Sequence, residues 1–84
     1  MTNKWELIGK INASSYRKKI LLILQDPKTP SQLEKETKIK FSHVSRALTE
    51  LTENKLIECL TPNLRKNKIY KITNLGHKIL KSLN

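Results

Sequence analysis

The side chains that could do chemistry in this 84-residue sequence are mostly cations and hydroxyls, and their spacing favours binding over catalysis. Ser42 and His43 are adjacent in the run Phe41-Ser42-His43-Val44-Ser45-Arg46, which reads as helical. Neighbours on a helix do not face each other, and no orienting carboxylate accompanies the pair, so nucleophilic catalysis is not expected. Cys59 is the single cysteine, which rules out an intrachain disulfide or a cysteine-cluster zinc site. Its alternation with Glu58 along a strand favours a core thiol over a redox sensor. No catalytic group, metal site or cofactor is expected. The remaining chemistry belongs to donors on one helix and one turn: Ser42, His43, Ser45, Arg46 and Thr49, then Arg65, Lys66 and Lys68, with Lys38 and Lys40 ahead of them. Arg46 could bond a guanine edge through its planar fork, hold a phosphate, or pair with Glu50 one turn on.

The composition is consistent with a polyanionic partner. The chain has 17 Lys and Arg against 7 Asp and Glu, a formal charge of +10, which favours nucleic acid or an acidic membrane surface. Lysine, asparagine and isoleucine, residues with AT-rich codons, are frequent, so codon usage is an alternative source for part of the lysine excess. The length suits one domain, 1–84, without a separate catalytic or ligand-sensing module. No stretch reaches the roughly 20 apolar residues needed to span a bilayer, and Met1-Thr2-Asn3-Lys4 leads into an amphipathic segment rather than a secretory signal. A cytoplasmic protein with no membrane partner is the expectation.

The elements that position these residues follow from periodicity and caps. Trp5, Ile8 and Ile11, with Leu7 beside them, predict a helical extension over 1–13, interrupted near Gly9 to Ser15. From Ser15, the face of Tyr16, Ile20, Ile23 and Leu24 predicts a first core helix that Asp26-Pro27 ends. Thr29-Pro30-Ser31-Gln32 fits a capping box with proline at the first helical position, so a short helix should run from Pro30 to about Thr37 around Leu33. Lys38-Ile39-Lys40 reads as a turn with Ile39 inside. Ser42 is the expected cap of a helix over 42–54, whose buried stripe is Val44, Ala47, Leu48 and Leu51. Glu50 and Glu53 occupy the far half of that helix, where carboxylates would repel phosphate, so only its N-terminal half suits an anion. Leu56 to Leu60 and Lys68 to Thr73 predict antiparallel strands with Ile57, Cys59, Tyr70 and Ile72 inward, joined by a basic loop over 61–68. A final helix over 74–83 should turn Leu75, Ile79, Leu80 and Leu83 inward. Trp5, Tyr16 and Tyr70 are expected in the core, not on a base-stacking surface.

From about Ser14 to Leu83 the chain resembles the winged helix-turn-helix transcriptional regulators of archaea, a broad group that includes the ArsR-like and MarR-like DNA-binding domains. The resemblance is carried by Ser42-His43-Val44-Ser45-Arg46-Ala47-Leu48 with Leu51, by Lys55-Leu56-Ile57, and by Tyr70-Lys71-Ile72-Thr73-Asn74-Leu75-Gly76. It implies a mostly α fold with a small β-hairpin, a helix-turn-helix over 29–54, and a wing over 56–73. It also implies a recognition helix over 42–54 that puts Ser42, His43, Ser45, Arg46 and Thr49 into the major groove. Members of the group often have glycine where this chain has Lys38 and Lys55. A left-handed conformation at such residues costs about 1 kcal/mol, which a packed domain absorbs. The cysteines of ArsR-type metal sensors are missing near the recognition helix, and the chain is too short for the long dimerising helices and ligand cleft of MarR-type proteins.

The expected function is sequence-specific binding of double-stranded DNA as a transcriptional regulator, with Arg65, Lys66 and Lys68 of the wing on phosphates or in the minor groove. Lys38 and Lys40 would add backbone contacts from the turn. A homodimer could form through Trp5, Leu7, Ile8 and Ile11 with Ile79, Leu80 and Leu83, because two-fold regulators match palindromic sites. The alternative is a protein-interaction winged helix, an adaptor in a larger transcription or replication assembly whose basic face is incidental.

Overall fold

In the computed structural model, which describes residues 4–83, the path of the chain is set by where each apolar stripe finds the core. Residues 1–3 of the expected N-terminal extension, and Asn84, lie outside the described residues. Helix α1 (Lys4–Asn12) runs straight through Gly9, and the chain breaks only at Ala13-Ser14. Glycine in a helix interior costs about 1 kcal/mol relative to alanine, and burial of Leu7 and Ile11 on either side outweighs it. The Ser14 hydroxyl then caps α2 (Ser15–Ile23) by accepting the Arg17 N–H at 3.3 Å. Ile20, Leu21 and Leu24 are fully buried. The expected core roles of Tyr16 and Trp5 are overturned: they are 43% and 79% exposed, because Leu21 and Leu7 fill the inward positions on their helices.

The segment after α2 adds an isolated bridge to the outer edge of the two-stranded sheet, which periodicity gave no sign of. The Leu24 carbonyl accepts the Ile72 N–H at 2.9 Å, and Lys28 and Tyr70 exchange both backbone hydrogen bonds at 3.0 and 2.8 Å. Helix α3 (Pro30–Thr37) has the expected capping box: Thr29 Oγ1 accepts from the Gln32 N–H and Gln32 Oε1 from the Thr29 N–H. Lys38 closes it in the left-handed conformation at φ 60°. Thr37 builds the turn that follows, its buried hydroxyl donating to the Leu33 carbonyl and accepting the Ile39 N–H. This inserts Ile39 into the core and puts the cap of α4 (Phe41–Glu53) two residues earlier than expected. Ser42 is therefore not the cap. Lys40 holds that position and makes no side-chain capping bond.

Val44, Ala47, Leu48 and Leu51 form the buried face of α4 as periodicity predicts. The helix ends in a Schellman arrangement with Lys55 at φ 61°, the Lys55 N–H on the Thr52 carbonyl, and the Leu56 N–H on the Leu51 carbonyl at 3.0 Å. Strands β1 (Ile57–Cys59) and β2 (Tyr70–Ile72) pair antiparallel, with Ile57 opposite Ile72 and Cys59 opposite Tyr70. A further bond from the Leu60 N–H to the Ile69 carbonyl carries the hairpin toward its tip. Helix α5 (Asn74–Leu83) buries Ile79 and Leu80, with Leu83 half-buried. Leu75, expected inward, is 38% exposed, because Gly76 is the residue of that first turn that meets the core.

Four of the residues expected at a dimer surface, Leu7, Ile11, Ile79 and Leu80, belong to the core of the single chain. α1 and α5 pack against each other and bury them, leaving Trp5, Ile8 and Leu83 with exposed surface. Among the described residues no helix is long and apolar enough to cross a membrane. At Gly76 an added methyl group would collide with the Leu56 carbonyl oxygen and the Ile72 side chain, neither of which can move without disturbing the hairpin. Gly76→Ala should therefore lower unfolding stability by about 1 to 3 kcal/mol despite alanine's better helix propensity, measurable by urea denaturation followed by circular dichroism.

Candidate nucleic-acid interface

The buried stripe of α4 dictates its outer one. With Val44, Ala47, Leu48 and Leu51 inside, the residues at the opposite angle are Ser42, Ser45, Arg46 and Thr49, and all four are exposed. His43 is also exposed but lies on one flank of that stripe. Its ring meets Tyr16 of α2 with centroids 5.2 Å apart. The Thr49 hydroxyl donates to the Ser45 carbonyl at 3.1 Å and keeps its oxygen lone pairs available. Of the expected recognition residues, Ser42, Ser45, Arg46 and Thr49 thus share one face, and His43 stands beside it.

Charge is sorted along this face by one ion pair that sequence reasoning missed. Arg17 of α2 pairs with Glu50 and donates a second hydrogen bond to the Lys10 carbonyl at 3.0 Å, tying α1, α2 and α4 together. Glu50 is therefore not the partner of Arg46. Among the described residues Arg46 makes no ion pair or hydrogen bond, so its guanidinium fork is open on the outer stripe. The only sequence sign of Arg17's role was a cation directly after Tyr16, in a run where Lys18 and Lys19 are equally plausible candidates. Glu53, one turn further along the stripe, is exposed at the C-terminal end of α4, where the helix dipole already disfavours phosphate.

The wing stands on the opposite flank from His43. Between it and α4 runs a groove whose first part, about 320 Å³, is lined by Pro30, Phe41, Ser45, Thr49 and Tyr70 among others. Its second part, about 450 Å³, is lined by Phe41, Tyr70, Arg65, Lys66, Asn67 and Lys68. The structure therefore brings the three wing cations beside the first turn of α4, with Phe41, half-exposed, on the groove wall between them. Phe41 went unnoticed in the sequence because it falls outside the stripe. The loop is shaped by Asn67 in the left-handed conformation at φ 56°, and by the Thr61 hydroxyl accepting the Ile69 N–H at 2.9 Å. Arg65 and Lys66 are exposed and Lys68 is half-buried at the base of the loop. Burial, reinforced by the neighbouring Cys59, pushes the Tyr70 phenol above its ordinary pKa, so it stays a neutral hydroxyl on the groove wall. Lys38 and Lys40 are exposed in the turn before α4, on the same side as His43.

Neither a protein-family model nor a curated protein sequence matches the chain. Solved structures do. A MarR family transcription regulator is 26% identical with a TM-score of 0.75, over 90% of this chain and 52% of that one. A mutant of Escherichia coli MarR complexed with operator DNA is 22% identical with a TM-score of 0.75, over 90% of this chain and 56% of that one. The chain thus spans about half the length of these two proteins. TubR from Bacillus thuringiensis serovar israelensis, bound to 24 bp of tubC, is only 14% identical but reaches a TM-score of 0.81 over 98% of this chain and 92% of its own. Among the described residues, five helices and an antiparallel hairpin in this order give the chain a winged helix-turn-helix fold, shared with these structures.

Proposed function

We propose that this chain binds duplex DNA sequence-specifically as a transcription regulator, with α4 in the major groove and the loop over 61–68 on the phosphate backbone or in the minor groove. The observation that carries this reading is the unpartnered Arg46 on an exposed hydroxyl-rich stripe, whose Ser45 and Thr49 border the groove that continues to Arg65, Lys66 and Lys68. Ser42, Ser45 and Thr49 suit phosphate or water-mediated contacts around it, and the uncapped first turn of α4 offers backbone N–H groups to a phosphate. The structures of Escherichia coli MarR and of TubR that share this fold hold DNA, which supports the reading.

A protomer that meets about five phosphates should bind with a log-log salt slope of roughly −4 to −5. In fluorescence anisotropy across a salt series, Arg46→Ala should reduce the preference among duplexes, a discrimination worth about 1 to 3 kcal/mol, while Arg65→Ala weakens all sequences alike. No duplex binding at low salt would remove this reading in favour of the adaptor. Arg17→Met should leave Glu50 uncompensated beside the interface and weaken binding to every duplex. Adding Glu50→Gln should restore it, whereas no recovery in the double variant would mean that Arg17 matters only for folding. A second copy meeting the first over Trp5, Ile8 and Leu83 would match a two-fold site, and sedimentation velocity showing only monomer at high concentration rejects that assembly.

A further inference from the structure

On the flank of α4 away from the wing, Tyr16 and Lys19 of α2 line a cleft of about 580 Å³ with Lys38, Lys40 and His43. No carboxylate is among its lining residues, although the pairs Arg17–Glu50 and Lys28–Glu36 show that acids are used elsewhere to offset cations. Three ammonium groups facing one concavity repel each other until an anion enters. The first turn of α2, with Ser15 on the cleft wall, adds the positive end of a helix dipole, and Tyr16 and Ser15 add hydroxyl donors. Tyr16 also packs on His43, so the cleft is continuous with the outer surface of α4.

We propose that this cleft seats a backbone phosphate of bound duplex DNA, on the strand across the major groove from the wing, and that Lys19 and Tyr16 are DNA-contacting residues alongside Lys38 and Lys40. The proposal rests on the DNA-binding reading above. It makes α4 straddled: one phosphate strand meets the wing and the other meets α2 and the turn.

The left-handed Lys38 supplies a selective test. Glycine adopts φ 60° freely, so Lys38→Gly removes a cation without straining the fold, and Lys55→Gly makes the same backbone change at φ 61° beyond the opposite end of α4. With the full chain, Lys38→Gly and Lys19→Ala should each reduce the salt slope of duplex binding by about 1 and weaken all sequences alike. Lys55→Gly should leave both quantities unchanged, and thermal melts of the two glycine variants should move in the same direction. If the wild type binds duplex but Lys19→Ala and Lys38→Gly keep its slope, the phosphate seat is wrong and the DNA-binding reading survives. If the wild type binds no duplex, both fall. Amide shifts at Tyr16 and Lys19 with inorganic phosphate alone, without any change in duplex affinity on substitution, would identify a free-anion site and overturn the DNA assignment.

Discussion

The junction of Lys55, Leu56, Thr73 and Gly76 holds the hairpin to the helices, and the whole outer face is set by it. The Leu56 N–H closes α4 on Leu51, while the Leu56 carbonyl accepts the Thr73 N–H at 3.0 Å. The Thr73 hydroxyl donates to the Lys55 carbonyl at 2.7 Å and accepts the Gly76 N–H at 3.1 Å, so one side chain caps α5 and pins the end of α4. Because Gly76 has no side chain, α5 comes close enough for these bonds to form. The direction in which β1 leaves α4, and thus where the loop over 61–68 can reach, is decided at this point. A small chain without disulfides needs such convergent bonds, since its single core leaves little surplus stability.

The use of charge follows the same economy. A formal charge of +10 could have been spread evenly, yet two of the acids are each engaged by a particular cation, and Glu53 on the outer stripe sits at its C-terminal end. Glu50 is taken by Arg17, and Glu36 by Lys28 at 3.2 Å. Partly exposed ion pairs of this kind contribute little to stability. Their effect here is positional, since they fix which cations remain available. Arg46 is left open while Arg17, equally basic, is engaged in holding helices together.

Much of the fold was legible where one residue type has one strong local preference. Thr29, Pro30 and Gln32 announce a helix start without tertiary help, and the α4 stripe of Val44, Ala47, Leu48 and Leu51 is unambiguous at helical spacing. The left-handed turns were legible too, as positions where lysine stands in a glycine role. What could not be read were choices made by competition in the folded state. Ser42 is a good cap by type, but burial of Ile39 through the Thr37 hydroxyl moves the helix start upstream of it and leaves Ser42 inside the helix. Trp5 and Tyr16 are apolar enough for the core, yet Leu7 and Leu21 occupy their inward directions. Backbone pairing of Lys28 with Tyr70 leaves no periodic trace in so short a segment. The partner of Glu50 lies 33 positions away in sequence, which no helix-spacing rule reaches.

The exposure of Trp5 has a spectroscopic consequence. It is the chain's only tryptophan, and at 79% exposed its indole is nearly as hydrated in the folded chain as in an unfolded one. Its emission is therefore almost silent about the collapse of the core and cannot serve as a folding signal. For the same reason it is an intrinsic optical reporter for anything that covers α1, because dehydration of that ring would shift its emission to the blue while the rest of the domain stays unchanged.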